Sequence, residues 1–155
     1  MIQDGDIAPN FELPTDSVEK LKLSSFKGKP VVLYFYPKDD TEGCTAEAKD
    51  FTALEGQFRA AGAVVIGVSP DSPEKHKKFR AKHELDIHLV SDEDKTAANA
   101  YGVWTEKSMY GRTVMGIERS TFLIDKNGRI ARSWRKVRVK GHAQAVLDAV
   151  RTLGK

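Results

Sequence analysis

Apolar residues along this chain fall into short continuous runs, separated by polar stretches that carry apolar residues at wider intervals. Val31-Val32-Leu33-Tyr34-Phe35-Tyr36, closed by Pro37, is the first run. Its β-branched and aromatic make-up predicts a strand buried on both faces. Ala63 to Ser69 and Ser120 to Asp125 predict two more, and Ile87 to Val90 a short one. Between the first two runs, Ala48, Phe51, Leu54, Phe58 and Ala61 recur at spacings of three and four. That is the apolar stripe of an amphipathic helix. Thr41 stands at its mouth as an N-cap or near-cap, and Gly62 stops it. Further helices are predicted from Pro73 to Glu84, from Lys95 to Tyr101 and from His142 to Leu153. Lys126-Asn127-Gly128 reads as a hairpin turn with Ile130 to Arg138 as the returning strand. Phe11 to Lys29 reads as a short hairpin or irregular lead-in.

The order of elements is therefore strand and helix three times over, then a hairpin, then a helix. Crossovers through helices give parallel strands, and the late hairpin adds antiparallel ones to the same sheet. The expected fold is α/β, with a mixed central β-sheet and helices on both faces. This is a thioredoxin-like layout with an N-terminal extension. At 155 residues, the chain suits one domain spanning 1–155, with a core that needs no disulfide staples.

Composition narrows the function. The formal net charge is only +3, from 25 basic and 22 acidic residues. The one basic cluster, Arg132 to Lys140, contains one aromatic and no recognition motif. It is expected to be a solvated strand and turn, and nucleic acid is not an expected partner. The opening segment is acidic and polar, unlike a signal peptide, and no apolar run is long enough to span a membrane. A single cysteine excludes a disulfide scaffold and favours a reducing compartment, with the cytoplasm as the default. No group of residues has metal-ligand spacing, so no metal is expected. His76 and His83, seven apart on one predicted helix, are expected to be exposed polar positions.

Sites in open α/β sheets gather at the carboxyl ends of strands, and Cys44 falls there, in the first turn after the strand ending at Tyr36. A helix N-terminus favours the thiolate, which is the reactive form of a thiol. A lone cysteine is also commonly just a small buried apolar residue. Its neighbours decide the matter. Pro37-Lys38-Asp39-Asp40-Thr41-Glu42-Gly43-Cys44 has proline, threonine and cysteine in the pattern Pro-x-x-x-Thr-x-x-Cys. Phe35-Tyr36-Pro37, Gly43-Cys44-Thr45-Ala46-Glu47-Ala48, Tyr101-Gly102-Val103-Trp104 and Arg119-Ser120-Thr121-Phe122-Leu123-Ile124-Asp125 accompany it. Together they resemble the peroxiredoxins, in their bacterioferritin comigratory protein branch, over nearly the whole chain.

That resemblance implies a thiol-dependent peroxidase acting on hydrogen peroxide and organic hydroperoxides. Cys44 would be the nucleophile that becomes a sulfenic acid, with Thr41 and Arg119 as its catalytic partners. Pro37, Gly43 and Glu47 are the candidate substrate-side residues: Pro37 shaping the pocket, Glu47 either orienting Arg119 or serving as a plain helix-surface carboxylate. A free thiol is a few per cent ionised at neutral pH, so full ionisation gains about thirtyfold, roughly 2 kcal/mol. Enzymes commonly supply about 8 kcal/mol or more, so most of the acceleration must come from placing the peroxide and stabilising charge on its leaving oxygen. No cofactor is implied, because the redox chemistry resides in the thiol.

Many relatives of this branch carry a second cysteine, five residues after the nucleophile or in the next helix. Here those places hold Lys49 and the run Phe79-Arg80-Ala81-Lys82. The reductant must therefore bring its own thiol: glutathione, a glutaredoxin or a thioredoxin. The branch implies a monomer or a weak dimer. A disulfide reductase of the Cys-x-x-Cys kind is excluded, with Thr41 and Glu47 flanking Cys44. The alternative from another class is a peroxide sensor that passes its oxidation to a partner protein by mixed disulfide.

Overall fold

The computed structural model describes residues 2–17 and 19–153; Met1, Val18, Gly154 and Lys155 lie outside the described residues. Its element order follows the apolar runs. A short antiparallel pair, β1 (Glu12–Pro14) and β2 (Lys20–Lys22), precedes a 3-10 turn (Leu23–Phe26), so the predicted lead-in is a hairpin. Then come β3 (Val31–Phe35), α1 (Glu42–Ala60), β4 (Val64–Ser69), α2 (Pro73–His83), β5 (His88–Ser91) and α3 (Thr96–Ala100). A second hairpin, β6 (Trp104–Met109) and β7 (Arg112–Ile117), was not predicted. β8 (Ser120–Ile124), β9 (Ile130–Trp134) and α4 (His142–Leu153) complete the chain.

The central sheet has five strands in the order β5-β4-β3-β8-β9. β3 runs parallel to β4 and β4 to β5, while β8 is antiparallel to both β3 and β9. Alternation along β3 divides the core. Val32, Tyr34 and Tyr36 pack on one face with Phe51 and Phe58 of α1, Phe79 of α2 and Val146 and Leu147 of α4. Val31, Leu33 and Phe35 pack on the other with Ala97 and Ala98 of α3, Tyr101 and Val103. A strand with period-two side chains and both faces covered must be apolar throughout, as this one is.

One glycine is dictated by this packing. Gly67 of β4 pairs with Tyr34 of β3, and a Cβ built on it would lie 2.8 Å from the Tyr34 ring. That ring cannot yield, being stacked on Phe51 at 4.7 Å and on Tyr36 at 5.5 Å. Gly67→Ala gains about 0.4–1 kcal/mol from a less flexible unfolded chain. Overpacking costs about 1–3 kcal/mol and wins. A net loss of roughly 1–2 kcal/mol is expected in urea denaturation; an unchanged midpoint would show that the ring can move aside.

The basic segment departs from expectation. β9 ends at Trp134, and Arg135 is part-buried, lying over the Phe122 ring and directed at the carbonyls of Tyr101, Gly102 and Ile2. Arg132 lies over the Trp134 ring, 4.6 Å from its centre. Aromatic faces and carbonyls absorb these charges, so only part of the segment is a solvated turn.

Candidate active site

β3 ends and α1 begins at the edge of the sheet face where β8 starts. The antiparallel register pairs Phe35 with Ser120, which sets Arg119, just before β8, beside the first turn of α1. Arg119 is fixed there by its own backbone: its carbonyl accepts from the Val137 amide at 2.9 Å. Two residues distant in sequence thus meet. Arg119 Nη2 donates to Cys44 Sγ at 3.3 Å, and Nη1 donates to Glu47 Oε1 at 2.7 Å.

Cys44 and Glu47 lie one helical turn apart on the buried side of α1, each 1% exposed. Glu47 is therefore not a surface carboxylate; it is the buried counter-ion of Arg119. Its second oxygen, Oε2, has no hydrogen-bond partner among the described residues. Burial raises the Glu47 carboxyl to about 7, although the Arg119 charge and hydrogen bond draw it down. Burial works against the Arg119 charge too, but Glu47 and the Cys44 sulfur outweigh it and the guanidinium is held more firmly protonated than usual. Gly43 makes this approach feasible: a Cβ there would come 3.2 Å from Arg119 Nη2.

Thr41 is the N-cap residue of α1, but its side chain does not cap the helix. The hydroxyl donates instead to the Lys38 carbonyl at 2.9 Å, within the loop that precedes the helix. The first-turn N–H groups of α1 are thus not taken by the Thr41 side chain, and Cys44 lies in that turn, where the helix dipole favours a thiolate. Pro37 lies half-buried where β3 gives way to this loop.

Residues that the sequence did not single out surround the site. Lys107, on the unpredicted hairpin, is half-buried with its stem against Gly116. Burial, then the Arg119 charge, lowers its ammonium below the usual range, while Cys44 and Glu118 act in the opposite sense. The hairpin turn, Tyr110-Gly111, has both residues at positive φ, 53° and 77°. Two six-residue runs around such a pair were the available signal. His142 is buried, 2.8 Å from the Thr121 hydroxyl, and held down to about 4 by burial and then by Arg119.

The histidine expectation is overturned. His76 is fully buried and His83 is half-buried, because both engage carboxylates of the loop before Cys44. Asp39, Asp71 and His76 also form a buried cluster, their potential ligand atoms within 4.8 Å of one another, which spacing along the chain did not reveal.

Residues 5–133 match the model of the AhpC/TSA family. The chain is a peroxiredoxin, of the bacterioferritin comigratory protein branch. It is 53% identical to peroxiredoxin Bcp of Bacillus subtilis, over 98% of this chain and 95% of the relative. The Xanthomonas campestris bacterioferritin comigratory protein superposes with a TM-score of 0.90 at 46% identity, covering 94% of this chain and 92% of that one. A peroxiredoxin Q variant from Xylella fastidiosa gives 0.95 at 40% identity, covering 100% and 99%. This peroxiredoxin is accordingly a thiol peroxidase on a thioredoxin-like fold, in a one-cysteine form. No helix among the described residues is long and apolar enough to cross a membrane.

Proposed function

We propose that this peroxiredoxin reduces hydrogen peroxide and organic hydroperoxides at Cys44 and is recycled by an external thiol. The observation that carries the reading is the Arg119 guanidinium 3.3 Å from Cys44 Sγ, braced by Glu47, in the first turn of α1. The thiolate attacks one peroxide oxygen and the O–O bond breaks. Sulfur is oxidised to sulfenic acid, and the other oxygen leaves as hydroxide or alkoxide and takes up a proton. Arg119 and the free N–H groups of α1 stabilise that leaving charge. Pro37 and Thr41, in the loop that leads into Cys44, are assigned to the substrate side of the site.

Organic hydroperoxides fall within this reading because alkyl peroxide reduction is described for the Xanthomonas campestris relative. Cys44 is the only cysteine, so no second thiol of the chain can resolve the sulfenic acid. An external thiol condenses with it and releases water; a second thiol then frees Cys44 as a disulfide leaves. Glutathione, a glutaredoxin and a thioredoxin all supply this chemistry. We place the protein in the cytoplasm, as a monomer or weak dimer, where those thiols are kept reduced.

The test is single-turnover oxidation of the reduced protein with one equivalent of hydrogen peroxide, followed by each candidate reductant. Cys44 is expected to gain one oxygen, about 16 Da, at a rate at least about a hundredfold above free cysteine. One of the three reductants is expected to sustain turnover. Fast oxidation with no turnover from any of them would favour the sensor. Oxidation no faster than free cysteine would remove the peroxidase reading.

A further inference from the structure

Helix α2 grips two consecutive carboxylates of the loop that leads into Cys44. His76, Phe79 and His83 stand along one side of α2, three and four residues apart. Phe79 packs between, its ring 6.4 Å from Tyr36 and 5.5 Å from His83. At one end of this stripe, His76 Nδ1 lies 2.6 Å from Asp39 Oδ2 and Nε2 lies 2.9 Å from the Val90 carbonyl oxygen. A carbonyl only accepts, so Nε2 carries a proton. The short contact between Nδ1 and a carboxylate oxygen requires a proton of its own. Both ring nitrogens are thus engaged in hydrogen bonds, and neither is turned toward an open ligand position. The Asp39–Asp71–His76 cluster is a closed hydrogen-bond set rather than a metal site.

Asp39 is tied twice more. The Tyr36 hydroxyl donates to its Oδ1 at 2.6 Å, and its own amide donates to Asp71 Oδ2 at 2.7 Å. Asp71 is held in turn by the Ser69 hydroxyl at 2.7 Å. At the other end of the stripe, Asp40 sits in the left-handed region with φ at 62°, a turn conformation that aspartate tolerates. Lys82 Nζ lies 2.8 Å from Asp40 Oδ2, and His83 Nε2 lies 2.8 Å from Oδ1. Hydrogen bonds from His83, then Lys82, hold the Asp40 carboxyl below its usual range. The next residue is Thr41, and Cys44 follows within one turn.

We propose that α2 positions the loop from Pro37 to Thr41 for peroxide, through His76 on Asp39 and through His83 and Lys82 on Asp40. The contribution of α2 to the reaction is mechanical. His76 is a positioning residue, since it reaches the chemistry only through Asp39. The inference rests on Cys44 being the peroxide-reactive thiol.

Two rates on the reduced full-length protein test it: oxidation of Cys44 by hydrogen peroxide, and alkylation of Cys44 by iodoacetamide. Alkylation reports the thiolate and its access to reagent, whereas the peroxide reaction also needs the groups of the loop in place. His76→Leu is expected to slow oxidation about tenfold or more while alkylation stays within about twofold, since misplacement by about 1 Å suffices for such a loss. His76→Gln, which can still donate to Asp39, is expected to recover most of the rate. The surface pair Lys82→Ala with His83→Gln is expected to slow oxidation about three- to fivefold with alkylation unchanged. Equal falls in both rates, or oxidation within about twofold of the parent in every folded variant, would overturn the proposal. If His76→Leu does not fold, the surface pair decides by the same criterion. A parent protein that itself reacts no faster than free cysteine would defeat the underlying reading instead, a result distinct from fast variants of a fast parent.

Discussion

Replacing Arg119 with methionine is expected to slow peroxide oxidation of Cys44 by about 10²- to 10³-fold, the loss typical of deleting one preorganised charge donor. Methionine matches the arginine stem in bulk but offers sulfur and peroxide no donor. The guanidinium here has two separate tasks, one nitrogen on Cys44 Sγ at 3.3 Å and another on Glu47 Oε1 at 2.7 Å. Lysine is a point charge and cannot span both, so Arg119→Lys should restore little. The magnitude separates two roles. Loss of thiolate down to the level of a free thiol slows the reaction at neutral pH by about thirtyfold. Iodoacetamide alkylation of the same variant reads the thiolate loss itself, and a larger fall with peroxide is charge stabilisation on the leaving oxygen. Stopped-flow oxidation of the reduced variant gives the number. A loss below tenfold would move that role away from Arg119, with Lys107 the next cation to examine.

The second large effect is on stability and its pH dependence. Glu47 is raised from the ordinary 4.5 to about 7, chiefly by burial, with the Arg119 charge opposing. The folded protein therefore keeps a proton on Glu47 through a range in which the unfolded chain has released it. Stability from this group is fully present below about 4.5 and is lost as pH rises through about 7. The span is on the order of 3 kcal/mol. Glu47→Gln retains an oxygen for Arg119 Nη1 but cannot ionise, so it should lack this decline. Relative to the parent, the variant should be more favoured at pH 8 than at pH 4.5 by about 3 kcal/mol, measured by urea denaturation at both values. Other carboxyls titrate alike in both proteins and cancel. An equal difference at both pH values would mean that Arg119 keeps Glu47 ionised throughout.

Much of the fold was legible because burial on both faces of a strand and on one stripe of a helix leaves a local trace. β3, β4 and β8 are near-continuous apolar runs, and α4 follows its predicted limits, His142 to Leu153. The β6–β7 hairpin left no such trace. It stands apart from the central sheet, and Val114 and Met115 on it remain exposed, so its alternation is weak. Its turn also lacks the Asn-Gly or Asp-Gly pair that usually marks one. α2 misled for the opposite reason. It is polar nearly throughout, which reads as solvated, yet His76 is buried because Asp39, 37 residues away, satisfies it.

By itself, the sequence determined the sheet-and-helix order, the place of Cys44 at a strand–helix junction, the absence of a second thiol and, through Pro37, Thr41, Cys44 and Arg119, the family. Only the tertiary structure decided that Glu47 is buried against Arg119, that Thr41 bonds its own loop instead of capping α1, and that α2 holds Asp39 and Asp40. Local periodicity records which side of an element leaves water. Which polar groups then meet depends on strand order and register, and here the pairing of Phe35 with Ser120 brings Arg119 to the sulfur.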